Sequence, residues 1–207
     1  MEEVLEVYRR PYAPVYPVVC LDESPKQLVS EVKKPFMNKK GELVFDFEYK
    51  REGAAEIYMV CEPLGGRREV FVRDSHDRMT WGKIIAHIVE EMYPEAKKIC
   101  IVEDNLSAHK KYALYELFEP ERARAILNKV AFVHTPVHGS WLNIAEIELN
   151  VLYGQGLQKR IATKEELEEQ CSQWSSMRNG NEAKVDWQFT TKGARIKLKR
   201  LYPTIKP

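Results

Sequence analysis

Two aspartates and a glutamate stand where they could do chemistry together. Asp22 follows the apolar run Val15 to Leu21, Asp104 follows the short run Lys98 to Val102, and Glu146 lies within an amphipathic stretch from about Trp141 to Tyr153. Acids at strand ends are rigidly placed, and an acid on a helix crossing those ends completes an oxygen-only set. Magnesium and manganese prefer carboxylate oxygen and keep waters for a substrate. Two such ions roughly 3.5 to 4 Å apart suit phosphoryl transfer, because an attacking hydroxyl is activated while a leaving oxygen is neutralised.

The elements that must position these acids follow from periodicity. Val15 to Leu21 reads as a strand delivering Asp22 at its end. Phe45, Phe47 and Tyr49 alternate with Asp46 and Glu48, and Ala55 to Glu62 leads through Leu64-Gly65-Gly66 into Arg68 to Asp74, a meander with a glycine turn. Trp81, Ile84, Ile85, Ile88, Val89 and Met92 recur at helical spacing, with Thr80 as cap and Pro94 beyond the end. Lys98 to Val102 and Val130 to His134 read as strands, with helical stretches Ala108 to Phe118 and Glu121 to Lys129 between them, divided by Pro120. Ser140 is placed to cap the Trp141 to Tyr153 helix, Thr163-Lys164-Glu165-Glu166 is a capping box opening a helix to about Arg178, and Thr191 opens a last basic helix ending near Pro203. Three strands in a meander followed by helix, strand, helices, strand and helix predict an α/β mixed sheet with helices on its faces. If the Lys98 strand lies beside the first strand, the two strand ends bring Asp22 and Asp104 together.

Neighbouring residues compete for these roles. On a helical wheel Glu146 shares a polar strip with Asn143 and Asn150, whereas Glu148 falls between Ile144 and Leu152, which mildly favours Glu146 as the cleft residue; the family motif described below settles that choice, with Glu148→Gln the expected mild control. Glu23 and Glu103 should point away from Asp22 and Asp104 by the strand pleat and read as supporting or solvated acids. His109 and His138 read as local hydrogen-bonding residues or as contacts to DNA phosphate or a hydrated metal, Asn105 as a turn former or a contact to metal-bound water or DNA, and Trp141 as core or as a base-stacking surface. Lys192, Arg195, Lys197, Lys199, Arg200 and Lys206 form an acid-free terminal patch; it, like Lys33, Lys34, Lys39 and Lys40, suits either phosphate binding or a solvated surface.

Composition sets the outer limits. The 207 residues, 44% hydrophobic, suit one domain spanning 1–207, and 32 Lys and Arg against 31 Asp and Glu exclude a uniformly basic DNA-coating protein. No apolar run reaches a membrane span and the charged start, Met1 to Arg10, lacks a signal core, so the expected compartment is the cytoplasm. Cys20, Cys61, Cys100 and Cys171 lack zinc-knuckle spacing and are expected to be buried apolar residues.

Leu21-Asp22-Glu23-Ser24-Pro25-Lys26-Gln27-Leu28, Val102-Glu103-Asp104-Asn105-Leu106-Ser107-Ala108-His109-Lys110 and His138-Gly139-Ser140-Trp141-Leu142-Asn143-Ile144-Ala145-Glu146 resemble, in order, the three acidic blocks of insertion-sequence-630 family DDE transposases, within the Tc/mariner superfamily. Asp186 to Thr191 followed by Ala194 to Leu198 resembles the C-terminal end of that family. The resemblance implies a ribonuclease H-like fold, Asp22, Asp104 and Glu146 as catalytic acids holding two Mg2+ or Mn2+ ions, and cleavage of transposon ends with strand transfer into target DNA. It also implies action on DNA at the nucleoid, with a homodimer and a separate helix-turn-helix chain as candidate partners. The last arises because family members carry a helix-turn-helix region before the core, whereas here about 20 residues precede Asp22. A truncated or domesticated non-catalytic DNA-binding regulator, and a stand-alone ribonuclease H-like nuclease, are the alternatives.

Overall fold

A computed structural model describes residues 1–137, 139–199 and 202. Its centre is a five-stranded mixed sheet. Strand β1 (Val18–Glu31) is followed by the small hairpin of β2 (Phe36–Met37) and β3 (Leu43–Val44), then by β4 (Tyr49–Glu62), β5 (Arg67–Arg73), β6 (Ile99–Glu103) and β7 (Val130–His134). The spatial order is β5-β4-β1-β6-β7, with β5, β4 and β1 antiparallel and β1, β6 and β7 parallel. The Lys98 strand therefore does lie beside the first strand, as a right-handed crossover favours.

The pleat divides the core in two. Val18, Cys20, Ile57, Met59, Cys61, Cys100 and Val102 face one side, packed with α1 (Glu2–Tyr8), α5 (Ile144–Gln155), α6 (Lys164–Gly180) and α7 (Thr191–Lys197). Val19, Leu21, Tyr58, Val60, Ile99 and Ile101 face the other, under α2 (Arg78–His87), α3 (Ala113–Leu117) and α4 (Pro120–Lys129). Strands covered on both faces become continuous apolar runs, which is why β4 and β6 were legible. All four cysteines are buried and free.

Several boundaries differ from expectation. The first strand does not end at Leu21: β1 begins at Val18, carries Asp22 mid-strand and continues to Glu31 against β4. Its pairing with β6 is recorded only from Val18 to Cys20, so Pro25 sits where one edge has no such partner and a missing N–H is tolerated. The Phe45 to Tyr49 alternation is not a strand before Tyr49, and Phe45 and Phe47 are exposed. Asp77, not Thr80, caps α2 by accepting from Met79 N and Thr80 N, and the helix closes in a π-helical turn over Ile88–Met92. Of Ala108 to Phe118 only α3 is helical, because Ala108 to Lys110 fold into turns around His109. Thr190, not Thr191, caps α7, while Thr163 caps α6 as expected. The proposed end of the last helix near Pro203 lies outside the described residues.

Helix α1 was not anticipated. Val4, Leu5, Val7 and Tyr8 bury one face of it against the α5 side of the sheet, and α7 packs on it. Among the described residues no helix is long and apolar enough to cross a membrane.

Candidate active site

The parallel register matches Cys20 with Val102, so two residues further Asp22 stands level with Asp104, just past the end of β6. By alternation Asp22 falls on the α5 face and Glu23 on the α2 face, as Cys20 and Leu21 do. Asp22 Oδ1 accepts from Glu23 N at 2.9 Å. Burial pushes its carboxyl up to about 7; the hydrogen bond from Glu23 opposes that rise, and the charges of Glu23, Asp104 and Glu146 add to it.

The third acid is positioned by an anchored helix. A 3-10 turn at Ser140–Leu142 precedes α5, and the cap is Asn143 rather than Ser140. Asn143 is fully buried; its Nδ2 donates to Leu21 O at 2.8 Å and its Oδ1 accepts from Ala145 N at 3.2 Å. One side chain thus starts α5 and ties it to the residue before Asp22. Tyr8 secures the same junction from α1, donating to Leu142 O at 2.9 Å and accepting from Ile144 N at 3.3 Å. Further along, Tyr153 Oη meets Ser24 Oγ at 3.2 Å and donates to Pro25 O at 3.1 Å, so α5 is tied to β1 on both sides of Asp22.

Between these ties lies an open cavity of about 290 Å3, with Asp22, Glu23, Ser24, Ser140, Glu146, Asn150 and Tyr153 on its wall. Glu146 is in the first turn of α5, where the helix dipole favours a carboxylate, and its Oε2 is buried without a hydrogen-bond partner. Asp104 is not on that wall. Its Oδ1 accepts from Leu106 N at 3.1 Å and lies 3.2 Å from His109 Nδ1, and the His109 interaction holds its carboxyl below the usual range. Among the described residues no three His, Cys, Asp or Glu side chains already close into a metal cage. The donors nevertheless fit a hard divalent cation: all three are carboxylates, and the orphaned Glu146 oxygen needs a positive partner. Like charges without a cation have reason to stand apart.

A sequence model described as DDE superfamily endonuclease matches residues 17–168, which contain all three acids. The chain belongs to that family. No curated protein sequence matches it. Among solved structures, the Mos1 mariner paired end complex with Mn aligns with a TM-score of 0.57 at 15% identity, covering 88% of this chain and 54% of that one. The Mos1 strand transfer complex gives 0.56 at 14% identity, with 88% and 54% coverage. The Mos1 transposase paired-end complex with left transposon end gives 0.55 at 13%, with 88% and 56% coverage. The shared fold is ribonuclease H-like. This chain spans about half the length of those Mos1 chains.

Other residues of the DDE endonuclease domain take roles the sequence did not reveal. Glu148 is buried between two arginines, with Oε2 at 3.0 Å from Arg68 Nε and Oε1 accepting from Arg178 at 2.7 Å. It faces away from the cavity, as the helical wheel indicates, but it is a fold-holding ion group and no mild control. Glu23 borders the cavity beside Asp22 while its Oε2 faces His109 Nε2 at 3.5 Å, and Glu103 lies on the opposite face. There Glu103 Oε2 accepts from Trp81 Nε1 at 2.9 Å, and burial raises its carboxyl to about 7. His109 is buried in the same group; burial alone would lower its pKa, but Asp104, Glu23 and Glu103 raise it to about 10. Trp141 is partly exposed and tilted against Phe189. Arg195 of the basic patch is engaged twice by Glu2, at 2.8 and 2.7 Å, and Lys33 pairs with Asp46 at 3.0 Å. Lys192, Lys197 and Lys199 are exposed; His138, Arg200 and Lys206 lie outside the described residues.

Proposed function

We propose that this chain is the catalytic core of a Tc/mariner-type DDE transposase of the insertion-sequence-630 group, acting on transposon ends and target DNA. The reading is supported by the register that sets Asp22 level with Asp104 past the end of β6, and by Glu146 on the same cavity wall as Asp22, in a chain of the DDE endonuclease family. These three carboxylates would hold two Mg2+ or Mn2+ ions, which when bound supply Lewis-acid activation of the attacking oxygen and neutralisation of the leaving one. Mos1 complexes determined with Mn and with Mg support the choice of ions.

The protein's own contribution is placement. Asn143, Tyr8 and Tyr153 lock α5 to β1, so Glu146 and Asp22 keep their separation while a phosphodiester enters the cavity. Ser24, Ser140 and Asn150 on the wall offer donors to its oxygens. Lys110 and Lys111, exposed beside His109, and the free lysines of α7 would contact flanking phosphates. In this reading residues 1–207 act as one catalytic domain with a basic C-terminal helix. End recognition would be the work of a helix-turn-helix region, two copies would pair on DNA, and the complex would work at the nucleoid in the cytoplasm.

The test is incubation with DNA carrying the element's own terminal repeats, a supercoiled target, and Mg2+ or Mn2+, alone and with a helix-turn-helix partner. Metal-dependent cuts at the ends and joined products are expected. Binding without cleavage would instead support the non-catalytic regulator, and cutting of RNA–DNA hybrids without joining would support a stand-alone nuclease.

A further inference from the structure

Behind the cleft, on the α2 face, lies a buried polar group that the proposed chemistry does not use. His109 stacks on Trp81, with centroids 5.7 Å apart and planes inclined by 24°. Trp81 is itself fixed, donating Nε1–H to buried Glu103 Oε2. The ring is thereby held in one orientation, and that orientation aims Nδ1 at Asp104: 3.1 Å from its carbonyl oxygen and 3.2 Å from its Oδ1. On the far side Nε2 faces Glu23 Oε2 at 3.5 Å, beyond good hydrogen-bond geometry, and both atoms are buried without another partner. A histidine kept only to fill space would not need to grip both the backbone and the carboxylate of one residue.

We propose that His109 is a positioning residue for Asp104: held by Trp81 and Glu103, it fixes one carboxylate oxygen and leaves the other free to meet a divalent cation. This rests on the reading of Asp104 as a metal ligand. Asp104 follows the last residue of β6 and heads a turn, so its backbone has no ladder partner to hold it. Side chains that orient a metal's ligands typically contribute roughly 10- to 100-fold to metal affinity or activity.

The experiment compares wild type with His109→Ala, His109→Asn, His109→Gln and Asp104→Asn by melting across a Mn2+ titration and by Mn2+-dependent DNA cleavage. An Asn amide nitrogen can occupy the place of Nδ1, whereas a Gln amide reaches toward that of Nε2. His109→Ala is therefore expected to need at least about 10-fold more Mn2+ for half its melting shift. His109→Asn should recover most of that loss and His109→Gln should not. If His109→Ala fails to fold, the Asn and Gln pair decides alone. Equal half-saturation in every His109 variant, or equal behaviour of Asn and Gln, would overturn the positioning role. An unaltered Mn2+ shift in Asp104→Asn would instead remove Asp104 from the metal site, and the positioning role with it.

Discussion

Glu146 and Glu148 stand two residues apart on one helix and meet opposite environments. Glu148 is almost completely buried and answered by Arg68 and Arg178, which are themselves tied in: Arg68 also donates to Gly66 O and Ala183 O. Glu146 opens on the cavity with a buried oxygen that nothing answers, and the nearby Asp22 carboxyl is pushed up by burial and by like charges. Where a buried acid holds the fold, the protein supplies its own cations. On the cavity wall it leaves Asp22 and Glu146 without a cation of its own, as a site that takes charge from outside would require.

The largest expected effect lies on the unneutralised side. Asp22→Asn, Asp104→Asn and Glu146→Gln should each reduce metal-dependent cleavage by more than the roughly 100-fold seen when a mere supporting residue is lost. Without metal the melting temperature of Asp22→Asn and Glu146→Gln should stay level or rise, because each change removes repulsion, whereas Asp104→Asn loses its contact with His109 and should melt lower. A variant cleaving at the wild-type rate would take its residue out of the site.

Glu148→Gln should show the reverse pattern. It leaves Arg68 and Arg178 without a buried counter-charge and should cost about 3 to 5 kcal/mol in urea unfolding. Unchanged stability would mean that the arginines find other partners, and the contrast between the two glutamates would collapse.

A smaller effect that bears on both properties is expected for Asn143→Ala. Losing the cap and the bond to Leu21 O should cost about 1 to 2 kcal/mol. Cleavage should fall as well, at temperatures where the variant remains folded, because Glu146 loses its tie to β1. Full activity with reduced stability would show that Tyr8 and Tyr153 suffice to place α5.

The smallest effect concerns the surface pair far from both glutamates. Hydrogen bonds from Arg195 and Tyr202 hold Glu2 at about 2, below the usual 4.5. A depressed carboxyl stabilises the fold above its ordinary titration range, and that contribution fades as pH falls from about 4.5 towards 2. Loosening of α7 from α1 should appear in that window as lower amide protection factors in α7, each rate being divided by its intrinsic exchange rate at that pH, and Glu2→Gln should remove the change. Protection factors that stay constant with pH in wild type would show that the clamp contributes nothing.

How much was legible varies with the kind of signal. The Ala55–Glu62 part of β4 and all of β6 were readable because strands buried on both faces are apolar throughout, and Glu146 was chosen over Glu148 by the motif match, with helical phase in mild support. Capping was less legible: Ser140, Thr80 and Thr191 were plausible, but Asn143, Asp77 and Thr190 do the work, since the competing candidates lie one to three residues away. The Phe45 to Tyr49 alternation misled because exposed aromatics also alternate by chance.

What the sequence determined by itself was a mixed sheet able to bring Asp22 and Asp104 level, and it named three candidate acids in order, since these depend on local periodicity and on motif identity. Tertiary structure alone decided which groups answer each acid. Arg68 lies 80 positions from Glu148, Asn143 reaches back 122 positions to Leu21, and Tyr8 spans 136 to Ile144. No local pattern encodes such pairs, because their partners meet only once the sheet has closed and the helices have packed on its faces. The same holds for His109: its spacing from Asp104 is visible in the chain, but its grip on that residue depends on Trp81 and Glu103 arriving from two other elements.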